Sequence, residues 1–255
     1  MKVVLPFAAA LVVSISGVIG LSVAEDWPGF RGSRGGAAAE QDLPTKLTQE
    51  NLLWKVKMPG VGASSPIVVG DKIYLTAYKG YGQTITKGFS AGGFGGGFDK
   101  GKGGDKGKGG FDKSKGGGFG GFGKPGPPDP EQKNLKLLLL CLDPAKGAIV
   151  WEKEIAPKLP EFNFTGVFRE HGYASSTPAS DGQRIIAFFG KTGVFAFNLD
   201  GKQLWQTDVG SETHMWGTAS SPVIFQDVVI VNAGIESKSL IGLNKKTGKE
   251  IWRTK

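Results

Sequence analysis

Two short loops of the sequence hold the side chains best suited to chemistry. The candidates are Arg169, Glu170, His171, His214 and Trp216. The two histidines, the only ones in the chain, each lie just upstream of a similar Ser-rich segment, so we expect them to face the same end of the fold. A pair of imidazoles could bind a metal or a carboxylate, and the arginine could bind an anion. The alternative, which we favour, is that each imidazole caps a loop by bonding to backbone.

Other kinds of catalytic site find little support. Cys141 is the only cysteine, which excludes a disulfide scaffold, a zinc site with four thiolates or with two thiolates and two imidazoles, and chemistry that needs adjacent cysteines. It stands in the apolar run 137–142, where we expect a buried structural thiol. No Ser-His-Asp order and no HExxH motif supports hydrolysis. We therefore assign no catalytic residue and no metal ligand, and any cofactor site is unknown.

The first 24 residues are typical of a secretory signal peptide. Lys2 precedes a long apolar run, and the small residues Ser22 and Ala24 stand before Glu25. An uncleaved membrane anchor is the alternative, because the run is long enough to cross a bilayer. We predict an exported protein, periplasmic or extracellular, that starts at Glu25 with an N-terminal extension over residues 25–50.

The positive charge of the chain is concentrated in a low-complexity insertion, residues 87–126. This segment holds 19 of the 42 glycines, 6 of the 16 phenylalanines, and eight lysines against three aspartates. Glycine loses much entropy on ordering, and the phenylalanines follow neither a strand nor a helix period, so we predict a disordered loop. The formal charge of +8 therefore does not indicate a nucleic-acid-binding domain. A cationic tether for an anionic polymer is the functional alternative.

Outside the insertion the chain repeats itself. One element, a Ser- or Thr-Pro step after small residues, ends at Pro66, Pro178 and Pro222. A second element places glycine four residues before tryptophan, in the pairs Gly147 and Trp151, Gly201 and Trp205, and Gly248 and Trp252. Short β-branched and aromatic runs lie between these elements, about four in each unit of about 50 residues, which indicates a four-stranded propeller blade. The fold class is therefore all-β: over residues 51–255, about three antiparallel blades and an N-terminal strand.

The recurring tryptophans suit the packing of blades. Neighbouring blades pack face to face, and flat indoles fill the wedge between them. We predict that Trp54 and the three later tryptophans, together with the recurring glycines, dock each blade on its neighbour.

These residues make the chain resemble the PQQ-like, tryptophan-docking β-propeller repeat family, which includes the assembly factor BamB and quinoprotein dehydrogenases. The resemblance implies an exported, non-enzymatic scaffold or binding module, associated with the envelope and with a protein or an envelope polymer as partner. The alternative it implies is a dehydrogenase that uses PQQ with calcium. Because propellers of this family close with about seven or eight blades, we expect further blades or further copies to complete the ring.

Overall fold

The computed structural model describes residues 26–33, 35–37, 45–46, 48–83, 129–164 and 171–255. The predicted signal peptide and the insertion 87–126 lie outside the described residues, as do Arg169 and Glu170. Within the described ranges, no helix is long and apolar enough to cross a membrane.

In the described part of the chain, twelve strands form three antiparallel sheets of four strands each, which confirms the predicted fold class. The first blade contains β1 (Ile67–Val69), β2 (Lys72–Lys79), β3 (Lys136–Leu142) and β4 (Ile149–Ile155). The second contains β5 (Ala179–Ser180), β6 (Arg184–Phe188), β7 (Val194–Asn198) and β8 (Gln203–Thr207). The third contains β9 (Val223–Phe225), β10 (Val228–Ala233), β11 (Ser239–Asn244) and β12 (Glu250–Thr254). Short 3-10 turns lie at Gln49–Asn51, Pro130–Asn134 and Gly190–Thr192.

Each blade presents two faces, because successive side chains of a strand point to opposite sides. We call the face that packs on the following blade the forward face, and the opposite one the rear face. In β6, Ile185 and Ala187 pack on the first blade, whereas Ile186 and Phe188 pack on the third. The continuous apolar run of β6 is thus explained by a sheet that is covered on both sides.

Two apolar clusters join the three blades. The first lies between the forward face of the first blade and the rear face of the second, and its buried members include Ile67, Tyr74, Leu139, Phe195 and Phe197. The second lies between the second and third blades, and its buried members include Ile186, Ala196, Trp205, Val229 and Ile241.

The rear face of the first blade is covered by the chain that precedes it. Val56 and Met58 pack against Leu138, Leu140 and the neighbouring apolar residues of this face. The sequence predicts a strand here, but residues 52–58 belong to no strand of the structure. The segment packs on the sheet through side chains, and its backbone joins the sheet only beyond it, at an isolated bridge from Val61 to Tyr78.

The N-terminal segment 26–33 links the first strands of two blades. The backbone of Trp27 pairs with Val68 of β1 through hydrogen bonds of 2.9 and 3.0 Å. The carbonyl of Pro28 accepts a 2.7 Å bond from the backbone N–H of Ser180 in β5. This segment therefore ties the first blade to the second.

Candidate functional site

The indole of Trp54 and that of Trp205 each bond to the turn of the following blade. Trp54 Nε1 donates to the carbonyl of Pro144 at 2.6 Å, and Trp205 Nε1 donates to that of Lys245 at 3.0 Å. Both carbonyls belong to the second residue of the turn that joins the third and fourth strands of a blade. In the second blade that residue is Leu199, and its carbonyl accepts a 3.2 Å bond from the hydroxyl of Tyr74. A tyrosine thus supplies the donor at the junction between the first two blades.

The recurring glycines lie beneath these indoles. A Cβ at Gly147 would stand 2.4 Å from the Trp54 ring, and one at Gly248 would stand 2.6 Å from Trp205. At Gly201 the nearest ring atom, from Trp151, would be 3.1 Å away. All three glycines have positive φ, between 65° and 79°, which other residues rarely adopt. The turn thus needs glycine both for its backbone and for contact with the ring.

The residue before each recurring proline joins the blades in series. The backbone N–H of Ser65 donates to Thr177 Oγ1 at 3.1 Å, and that of Thr177 donates to Ser221 Oγ at 3.0 Å. The hydroxyl before proline is therefore an acceptor for the preceding blade. The repeat in the sequence marks this Ser- or Thr-Pro step but does not predict the bond between blades.

The forward face of the third blade repeats the forward face of the first, but it is exposed. Val223 pairs with Ile230 as Ile67 pairs with Tyr74 in the first blade. Ile67 and Val69 are 0% and 4% exposed, whereas their counterparts Val223 and Phe225 are 57% and 61% exposed. Positions that are core in one blade are therefore surface in the other.

Two further positions show the same contrast. Leu240 is 41% exposed, whereas Leu139 at the equivalent position is fully buried. Trp252 is 38% exposed against 8% for Trp205, and its ring lies over Gly242 of its own sheet. We call the set Val223, Phe225, Ile230, Leu240 and Trp252 the open face.

The exposed apolar residues at the outer edge of the blades do not distinguish the third blade from the other two. Val150, Leu204 and Ile251 each directly precede the fourth-strand tryptophan of a blade, and all three are exposed. The outer edge is thus solvated in every blade, and only the forward face distinguishes the third one.

The loops that carry the two histidines lie next to each other. A Cβ at Gly217 would stand 3.5 Å from the carbonyl of Gly172, so the loop after His214 meets the loop after His171. Both histidines are exposed, and His214 Nδ1 accepts a 3.4 Å bond from the backbone N–H of Trp216, itself 52% exposed. Among the described residues, no group of three or more His, Cys, Asp or Glu side chains could hold a metal.

Cys141 is a buried free thiol in β3, as the sequence predicts. It pairs across the sheet with Trp151, at the position that Ala196 and Gly242 occupy opposite the tryptophans of the other blades. Burial raises the pKa of the thiol to about 11, so it stays protonated at neutral pH. Its role is that of a small residue facing an indole.

One polar cluster was missed by sequence reasoning. Glu161, Lys191, Thr218 and Glu236 come from four separate loops and line one cavity between the second and third blades. Burial raises the pKa of Glu161 to about 7 and also raises the pKa of Glu236. No sequence motif connects these residues, because only the blade packing brings their loops together.

The comparisons with known proteins concern the repeats. Residues 136–255 match the family model described as outer membrane protein assembly factor BamB. No curated protein sequence matches the chain significantly.

Several solved structures resemble the chain at low identity. BamB from Moraxella catarrhalis is 16% identical over 47% of this chain and 35% of its own, with a TM-score of 0.33. A europium-containing methanol dehydrogenase is 13% identical over 80% of this chain and 27% of its own, with a TM-score of 0.40. A quinohemoprotein alcohol dehydrogenase from Pseudomonas putida HK5 is 12% identical over 78% and 21%, again at 0.40.

The chain therefore spans about a third or less of the length of these structures. The match over residues 136–255, together with the three four-stranded sheets of the described residues, supports a likeness to the PQQ-like β-propeller repeat family.

Proposed function

We propose that this protein is a non-enzymatic, exported β-propeller scaffold that works in envelope protein assembly by binding another protein. The observation that carries the proposal is the open face of the third blade, an apolar sheet face that a further blade, a further copy or another protein would cover. The match of residues 136–255 to the BamB model supports a role in assembly.

The open face is suited to a partner that presents a β-sheet. Its counterparts on the first and second blades are each covered by the rear face of a four-stranded sheet. Exposed apolar patches of this kind mark protein interaction sites. The expected partner presents an apolar sheet face, with a turn glycine to meet Trp252 and a hydroxyl to accept from the backbone N–H of Ser221.

We also propose that the indoles of Trp54, Trp151 and Trp205 dock the blades on one another. The bonds to Pro144 and Lys245 and the close approach to the three turn glycines support this role. Trp252 is then the docking residue for the partner sheet.

Site-specific cross-linking tests the proposed interaction. A photoreactive phenylalanine analogue at Phe225 should cross-link, in cells that export the protein, to a β-strand of one defined partner. The same analogue at Leu204, which is exposed at the outer edge, is the matched control. Cross-links that form equally from both positions, or from neither, would contradict the proposal, and the mass of the product separates a sheet of the same chain from one of a partner.

Titration with PQQ and calcium separates the scaffold from a dehydrogenase. A scaffold should give no saturable change in the absorbance of PQQ and no dye-linked oxidation of alcohols. Saturable binding together with alcohol oxidation would overturn the scaffold. Loss of salt-dependent retention on an anionic polymer after deletion of residues 87–126 would instead favour the polymer-binding alternative.

A further inference from the structure

The cavity between the second and third blades is small and has both polar and aromatic residues in its lining. Its volume is about 30 Å³, and Glu161, Lys191, Thr218 and Glu236 line it beside aromatic residues. A space of this size accommodates one water molecule or one dehydrated ion. Its contents are therefore decided by the few polar atoms that reach it.

Glu236 is a buried polar residue with one side-chain oxygen that lacks a hydrogen-bond partner among the described residues. Its side chain is buried, with 2% of the residue exposed, and Oε1 accepts a bond from the hydroxyl of Thr218. The other oxygen, Oε2, is buried and has no hydrogen-bond partner among the described residues. A buried carboxylate oxygen without a partner is strongly unfavourable, so a donor or a cation is expected there.

The loop that carries Glu236 is held by its backbone. The carbonyl of Glu236 accepts bonds of 3.1 and 3.2 Å from the backbone N–H groups of Ser211 and Glu212. A Cβ at Gly190 would stand 2.9 Å from Thr218 Oγ1 and 3.3 Å from Glu236 Oε1, so the chain closes tightly over this pair. These contacts therefore hold the Glu236 loop in place at the cavity.

The charges around the cavity leave a deficit of positive charge. Glu161 and Glu236 supply two carboxylates, and each is destabilised in its charged form by burial. Glu212 also lines the cavity, but it is exposed to solvent. Lys191 supplies one ammonium group, which donates to the carbonyl of Pro160. One more positive charge would balance the two carboxylates.

We propose that this cavity is a binding site for a monovalent metal cation, Na⁺ or K⁺, with Glu236 Oε2 as its anionic ligand. The ion lies between two blades, so it stabilises their junction. This site is separate from the open face and does not depend on the proposed scaffold function.

Thermal unfolding in matched salts tests the site. We compare the full chain in about 0.1 M NaCl, KCl or choline chloride at equal ionic strength and at a pH above about 8, where Glu161 is mostly ionised. Because an ion that binds only the folded state raises its stability, the Tm should be higher in at least one metal salt by about 3 °C or more. Glu236→Gln should remove this difference.

Two further measurements keep the test decisive. Glu212→Gln removes an exposed charge beside the same cavity and should keep the salt difference. Broadening of the ²³Na resonance by the wild-type protein, reversed by K⁺ and absent with a Glu236→Gln variant of unchanged circular dichroism, would support the site. Equal Tm values in all three salts without ²³Na broadening would show that water or a proton satisfies Oε2. If Glu236→Gln and Glu212→Gln both lose the Tm difference between salts to the same extent, the effect is a general one of charge. Either result would overturn the proposal.

Discussion

The forward faces of the first and third blades occupy the same strand positions and carry the same kind of residue, yet only one of them is buried. Ile67 and Val69 pack on the second blade, whereas Val223 and Phe225 meet solvent. In the first blade the apolar character of these positions is explained by the sheet that covers them. Because the third blade keeps that character, its sequence is suited to a covering sheet as well.

Replacing the fourth-strand tryptophan by alanine should give the largest difference in stability loss between the buried junction and the open face. Trp205→Ala deletes a buried ring and its bond to Lys245, so we expect it to lower the free energy of unfolding by about 3 to 5 kcal/mol. Trp252→Ala, on the open face, should lower it by less than about 1 kcal/mol. Urea unfolding followed by circular dichroism measures both, and equal losses would contradict the contrast.

The closed junction between the second and third blades should also respond to pH. Because burial raises the pKa of Glu161 to about 7 from its usual 4.5, the folded protein holds this proton more tightly than the unfolded chain. Stability should therefore fall as the pH rises from about 4.5 to about 7, by about 2 to 3 kcal/mol, and stay lower above that range. Unfolding in choline buffers across this range should show a weaker slope for Glu161→Gln than for the wild type. A slope of the same size in both proteins would count against a buried Glu161.

Replacing a turn glycine by alanine should separate the cost of contact with the indole from the cost of backbone strain. Gly248→Ala places its Cβ at 2.6 Å from the Trp205 ring, whereas Gly182→Ala has a similar positive φ and no atom within 4 Å of the new Cβ. The backbone penalty, about 1 kcal/mol, is common to both, and overpacking should add about 1 to 2 kcal/mol at Gly248 alone. Melting temperatures of the two variants test this, and a control variant as unstable as Gly248→Ala would argue against contact with the ring.

The smallest effect is expected on the open face. Phe225→Ala should change the free energy of unfolding by less than about 0.5 kcal/mol, because the side chain is already solvated. Val69→Ala at the equivalent position of the first blade should cost about 2 kcal/mol, although it deletes fewer atoms. Chemical unfolding of the two variants checks this, and a larger loss at Phe225 would mean that the face is covered within the chain.

The sequence predicts the blades well because their determinants are local and repeated. The glycine at a fixed distance from tryptophan, as at Gly248 and Trp252, indicates the turn and the fourth strand of each unit. The exact donor at each junction could not be predicted, since Tyr74 supplies at one junction the bond that an indole supplies at the others. The acceptor role of the Thr177 and Ser221 hydroxyls could not be predicted either, because it depends on the spacing between neighbouring blades.

The polar cavity was beyond sequence reasoning for a related reason. Glu161 and Glu236 are about 75 residues apart in the sequence, and no motif marks the loops that carry them. Their proximity depends on how the second and third blades pack, which no local pattern records. The histidines, by contrast, were noticed because they are rare, and the structure leaves both exposed at neighbouring loops.

Oxidative labelling of the tryptophans, read by mass spectrometry, tests the central contrast most directly. We predict that Trp252 of the purified chain is oxidised many times faster than Trp205. A bound partner sheet should protect Trp252 from oxidation. Equal protection of the two indoles in the free chain would contradict an open forward face on the third blade.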